Sequence, residues 1–159
     1  MIRKTLLYSV TAVACGILFV NLYTSIVDAV SWGSDIPASI QTTRDYFKSG
    51  DPGKFFRIFS PANQILTLLA LVVCWKAGKK IRMYCALALL TAVAIDGFTF
   101  AYFFPRNEIM FVSPIDGNID AIKSAWSSWS AMNWVRSGLI LVNVITNFTA
   151  LSLVIKNEK

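Results

Sequence analysis

LLYSVTAVACGILFVNLYTSIV, residues 6–27, contains no Asp, Glu, Lys or Arg. Crossing the hydrocarbon core of a bilayer takes roughly 20 apolar residues in a helix that rises about 1.5 Å per residue, and this stretch is long enough. Three further blocks follow. Residues 61–75 are uncharged, residues 83–104 carry only Asp96, and residues 134–155 carry only Arg136. Nearly every other charge falls in the gaps between blocks. The totals agree, with 55% apolar and 15% charged residues where a soluble domain has about 25% charged, and a mean hydropathy of +0.56. The pattern predicts an all-α integral membrane four-helix bundle. It forms a single transmembrane domain over residues 1–159, with helices near 6–28, 61–76, 82–105 and 131–155. Arg3 and Lys4 precede the first block as they would in a signal peptide. Apolar sequence runs on well past the one plausible processing point, Ala14-Cys15-Gly16, so the first helix is expected to stay.

Short loops rich in Lys and Arg face the cytoplasm. Lys76, Lys79, Lys80 and Arg82 crowd the turn after the second block, Arg3 and Lys4 precede the first, and Lys156 and Lys159 follow the fourth. The other two connections are longer and mixed in sign. Both termini are therefore expected in the cytoplasm of a multi-pass plasma-membrane protein, with two extracytoplasmic connections. The net charge of +6 is largely this asymmetry and does not indicate nucleic-acid binding.

Each long connection carries signs of a short amphipathic helix. In the first, Ile36, Ile40, Tyr46 and Phe47 recur at helical spacing, Gly50-Asp51-Pro52-Gly53 reads as a turn, and Phe55, Phe56 and Phe59 suit the membrane interface. In the second, Asp116-Gly117 reads as a turn. Ile119, Ile122, Trp126 and Trp129 then lead toward the fourth span, with Trp126, Trp129 and Trp134 expected in an aromatic belt. The second span admits two readings. Ser60-Pro61 has the chemistry of a helix start. A helix of residues 61–75 is only about 22 Å long against a core of about 30 Å, which would leave a recess. Alternatively, the helix begins near Phe55 and Pro61 kinks it.

Polar groups inside a bilayer are costly, so each needs an account. Asn21, Ser25 and Asp28 share a helix face at i, i+4, i+7. Asn63 and Gln64 open the second span, Asp96 lies in the third, and Pro105-Arg106-Asn107 marks its end. Arg136, Asn143 and Asn147 form one stripe of the fourth, with Asn133 a turn above Arg136. Most of these groups converge at one depth in the outer half. A buried Arg136 calls for an acidic partner, with Asp96 or Asp28 as candidates. The expected site is Asp96 and Arg136 as the reactive pair, with Asn21, Asp28, Asn63, Gln64, Asn107, Asn133 and Trp134 around a ligand. Any one asparagine alone has an ordinary role as an interhelical hydrogen bond worth ~0.6 kcal/mol.

The chain contains no histidine. That removes histidine-ligated haem, most copper and zinc sites, and any Ser-His or Cys-His nucleophile. No metal or other cofactor is expected. Cys15, Cys74 and Cys85 form no C-x-x-C pair and read as small packing residues.

Pro105-Arg106-Asn107-Glu108-Ile109-Met110, together with Trp129, Asn133, Trp134 and Arg136, resembles the anthrone-oxygenase-like family of small membrane proteins, whose bacterial members mostly have no assigned activity. Asn21 and Ser60-Pro61-Ala62-Asn63 are similar as well. The resemblance implies a four-helix bundle in which Asn63, Asn107, Asn133 and Arg136 line a shared site. It also implies oxidation of an anthrone to an anthraquinone by O₂ without metal or flavin, with Asp96 as base and Arg136 stabilising an enolate. Three readings stay open. One is a membrane protein holding a small amphipathic or aromatic ligand, the second is a cofactor-independent oxygenase, and the third is a helper subunit or transporter component whose polar stripes face a partner. Beyond the lipid bilayer, the sequence fixes neither a partner nor an oligomeric state.

Overall fold

A computed structural model describes residues 1–157, so Lys159 of the basic C-terminal tail lies outside the described residues. Five helices account for the fold: α1 (Ile2–Gly33), α2 (Ala38–Phe47), α3 (Pro52–Val73), α4 (Lys79–Phe111) and α5 (Ile119–Asn157). Among the described residues there is no strand. All except α2 are long and apolar enough to cross a membrane. α1 packs on α3 and α5, and α4 packs on the same two helices, so α1, α3, α4 and α5 close a four-cornered bundle. Large apolar side chains such as Phe19, Ile65, Leu90 and Ile145 cover its outside, as a lipid-facing surface requires.

α3 does not begin at Ser60-Pro61. It starts at Pro52, behind an extended Asp51, and carries Pro61 inside, so the reading with the earlier start holds. Proline fits the first turn at residue 52. At residue 61 the missing N–H is tolerated, as it often is in membrane helices whose neighbours hold the backbone. Phe55, Phe56 and Phe59 are thus helical, with Phe55 stacked on Phe59 at 4.5 Å and edge-on to Phe56 at 5.4 Å.

At 22 residues, α3 is about 33 Å long, close to the thickness of a bilayer core. α1, α4 and α5 are longer, at 32, 33 and 39 residues, and project beyond the start of α3. α2 packs against the projecting ends of α1 and α4. Ala29, Trp32, Ile40, Phe103, Met110, Ile122, Ala125 and Trp129 make an apolar core there. Arg44 clasps it by donating Nε and Nη2 to Met110 O at 3.0 and 2.7 Å. The end away from the termini is therefore a folded aromatic cap. Trp129, expected in an interfacial belt, is a core residue only 4% exposed, and Trp126 donates its indole N–H to Ala29 O at 2.7 Å. Both lie on the α5 face that turns inward, and Trp134 alone of the three faces out.

The turn between α3 and α4 places Gly78 at φ +127°, where an L side chain is strained. Beside this turn a second apolar core gathers Leu7, Val10, Ala70, Cys74, Ile81, Cys85 and Leu151. Cys74 and Cys85 are buried neighbours within it. The polar residues of the spans lie between these two cores, beside a smaller apolar cluster of Ile17, Ile95 and Ile140.

Two helices contain one wide π turn each, Thr24–Asp28 in α1 and Thr99–Phe103 in α4. Neither was expected from periodicity. Each admits an extra residue into the helix and shifts the register beyond it, and both flank the polar layer.

Candidate functional site

α5 supplies the spine of the site, because Trp129, Asn133, Arg136, Ile140, Asn143 and Asn147 fall at intervals of three and four along its buried face. Facing it, α1 brings Asn21 and Ser25. Asn21 Nδ2 donates to Ser137 Oγ at 2.7 Å and lies 3.4 Å from Asn133 O. Asn133 Nδ2 answers with Ser25 Oγ at 2.6 Å and Asn21 O at 3.4 Å. This reciprocal pair fixes the register of α1 on α5 and leaves Asn21 Oδ1 to receive Arg136 Nε at 2.8 Å.

Arg136 is 6% exposed, and it forms no ion pair with Asp96 or Asp28. Besides Asn21, its neighbours are aromatic rings. The guanidinium carbon lies 4.2 Å from the Phe103 centroid, 5.3 Å from Phe56 and 5.8 Å from Trp129. Guanidinium–ring contacts of this kind offset part of the desolvation of a buried cation. The terminal nitrogens make no hydrogen bond among the described residues. Two more polar atoms on the same face of α5, Trp129 Nε1 and Asn133 Oδ1, are buried without a partner. Native interiors keep such atoms few; of the four among the described residues these two share the Arg136 face of α5, and Ser130 Oγ and Asn63 Oδ1 are the others.

The π turns set this geometry. In α4 the wide turn ends at Phe103, whose ring covers Arg136, while Phe100 in the same turn faces outward at 61% exposure. In α1 it begins after Asn21, so Ser25 still reaches Asn133. Asp28, however, is carried off the shared face that plain helical spacing predicted. Asp28 is half-buried beside Thr24 and does not approach Arg136.

The remaining candidates divide. Asp96 sits on α4, where its Oδ2 accepts from Gln64 Nε2 at 2.6 Å with Ser60 beside it. It is within electrostatic reach of Arg136 but not in contact. Asn63 donates to Asn143 Oδ1 at 3.4 Å. Asn143 in turn donates to Ala88 O at 2.7 Å and Thr91 Oγ1 at 2.9 Å, and Asn147 donates to Asn143 O and Oδ1 at 3.0 and 3.2 Å. This second network ties α3, α4 and α5 together nearer the termini. Asn107 is half-buried in the last turns of α4 and makes no hydrogen bond among the described residues, whereas Arg106 reaches Ser128 Oγ at 3.0 Å and covers the Tyr102 ring at 3.4 Å. Trp134 is 53% exposed and points away from the bundle. The structure therefore brings Asn21, Asn133 and Arg136 together, places Asp96 and Gln64 a short step away with Asn63 beyond them, and leaves Asp28, Asn107 and Trp134 outside. Ser25, Phe56, Phe103, Trp129 and Ser137 join the site. Of these, Ser25 is already placed on the Asn21 face by its spacing and Trp129 belongs to the stretch that carries the resemblance, while Ser137 follows Asn133 by four residues, the signal that could have found it.

Residues 55–146 match the family described as anthrone oxygenase. No curated protein and no solved structure matches the chain.

Proposed function

The chain belongs to the anthrone oxygenase family, and from that premise we propose that it binds a small, flat, hydrophobic molecule by an oxygen atom set against Arg136. The observation that carries this reading is the buried guanidinium with terminal nitrogens free of protein hydrogen bonds beneath the Phe103, Phe56 and Trp129 rings. A carbonyl or enolate oxygen suits two such donors, and hydrogen bonds from a cation are among the stronger kinds. The rings offer apolar faces to a planar ligand. Just below, the bundle leaves a cavity of only about 10 Å³, so a ligand of several rings enters only when side chains shift. α3 is the element suited to yield, because it begins lower than its neighbours and Pro61 lacks the N–H that would tie its first turns to the rest. That favours entry sideways from the lipid past Phe56 and Phe59.

Titration of a hydroxylated anthrone into the full chain in lipid nanodiscs, followed by tryptophan fluorescence, tests the reading. Losing a hydrogen bond to a charged donor costs about 1.5–3 kcal/mol, so Arg136→Gln weakens binding roughly ten- to a hundredfold, and Arg136→Lys falls between. Wild-type affinity in a folded Arg136→Gln protein sinks the proposal.

A second reading, catalysis, is favoured by Asp96, a carboxylate held by Gln64 within electrostatic reach of the cation. In this scheme Asp96 takes a proton from the substrate methylene, and Arg136 holds the resulting enolate oxygen. The enolate carbon passes its electrons to O₂, forming a C–O bond, and the proton completes a hydroperoxide. Loss of the second methylene hydrogen with cleavage of the O–O bond releases water and leaves a ketone. Overall, CH₂ and O₂ become C=O and H₂O. Asp96→Asn is expected to bind the anthrone and form no quinone, measured by absorbance and O₂ uptake. Quinone formation at the wild-type rate in that variant contradicts the scheme. The same proposal places the basic end of the bundle, with both termini, in the cytoplasm of a plasma membrane.

A further inference from the structure

Toward the termini from Arg136, all four spanning helices line the small cavity already mentioned. Its volume of about 10 Å³ is close to the least that holds one water. The character of the walls decides what such a space takes, because purely apolar cavities stay dry and a water needs two to four polar partners. Ala14, Ile17 and Ile140 line one part, and Ser60, Asn63 and Asp96 line another.

Asn63 supplies the independent observation. It is 5% exposed, and its Nδ2 donates to Asn143, yet its Oδ1 is buried with no donor. A buried amide oxygen left unsatisfied is costly. Asp96 receives Gln64 on Oδ2, and the Ser60 hydroxyl also interacts with that carboxylate. Asn63, with its unpartnered Oδ1, and the Asp96–Ser60 pair thus line a space of one molecule's size.

We propose that this cavity is a site for a single bound water that donates to Asn63 Oδ1 and to the Asp96 carboxylate beside Ser60. The water joins α3 to α4 and links Asp96 to the Asn63–Asn143–Asn147 network. It gives the carboxyl group a proton-exchanging neighbour inside the bundle. The inference needs no ligand at Arg136 and stands whether or not an anthrone binds there.

Magnetisation transfer from water to the side chains of the isotope-labelled full chain in nanodiscs tests it. A cross-peak of a long-lived water is expected at the Asn63 amide and at Ser60, and it disappears in Ala92→Val, whose added methyls fill the cavity. If that variant fails to fold, xenon serves on the wild type. A watered site leaves the Ile95 and Ile140 methyl resonances unmoved by xenon. Xenon-shifted methyls without the water cross-peak show a dry cavity and overturn the proposal. So does the absence of both signals, which would mean that the side chains close on each other. A shift of the Asn63 resonances when sodium is replaced by choline would assign an alkali cation instead, and would also overturn it.

Discussion

Truncating Asn21 removes its hydrogen bond to Ser137 and the acceptor of Arg136 Nε together. Interhelical hydrogen bonds in membrane proteins average ~0.6 kcal/mol, but a buried cation deprived of its acceptor adds about 1–3 kcal/mol. Asn21→Ala is therefore expected to destabilise the bundle by about 2 kcal/mol, measured by denaturant unfolding in mixed micelles. Asn107→Ala, at a residue that makes no hydrogen bond among the described residues, should stay near wild type. Equal stability of the two variants would show that Asn21 does not hold Arg136 in place. At this scale the sequence identified Asn21, Asn133 and Arg136 because polar residues in a bilayer-length apolar block stand out by their cost. The ion pair it suggested does not form, since an amide oxygen and three aromatic rings take the place of a carboxylate. Trp134 shows the limit of such reading, because position in a motif does not reveal which way a helical side chain points.

Helix–helix packing makes a second expectation. A Cβ at Gly33 would overlap the Trp126 indole, whereas one at Gly16 meets nothing within 4 Å. Overpacking of a fitted contact costs typically about 1–3 kcal/mol. Gly33→Ala should lower the midpoint of thermal unfolding and alter the near-ultraviolet tryptophan signal, and Gly16→Ala should do neither. Matching behaviour of the two would mean that the cap yields freely. Among the elements, span number and approximate position were legible from charge-free length alone. The start of α3 was not, because Ser60-Pro61 satisfies the local rules for a helix beginning while packing on α1 and α4 carries the helix through it. The π turns were invisible for a related reason. An inserted residue disturbs periodicity only locally, and in segments as uniformly apolar as Thr99–Phe103 there is little contrast to disturb. Asp28 was misplaced by that shift.

Across the whole molecule, two apolar cores bracket a polar layer, and the projecting ends of α1, α4 and α5 close it with α2 under Arg44. The basic residues Lys76, Lys79, Lys80 and Arg82 lie at the opposite end, beside the N-terminus. A reporter active only in the cytoplasm, fused after Lys159, is expected to be active. One active only outside should be silent there and active when inserted near Gly117. The reverse pattern would invert the orientation. The cap also explains why composition could not locate the site's roof: Trp32, Phe103 and Trp129 come from three helices far apart in sequence. They meet only in the folded chain. The most direct test of the central claim is a high-resolution structure of the full chain in lipid with a hydroxylated anthrone bound. On that claim, ligand density is expected beneath Phe103 and Trp129, with an oxygen about 2.7–2.9 Å from an Arg136 terminal nitrogen and Phe56 displaced. A bound anthrone elsewhere, such as the surface cleft beside Arg44 and Pro114, with Arg136 still closed under its rings, would contradict it.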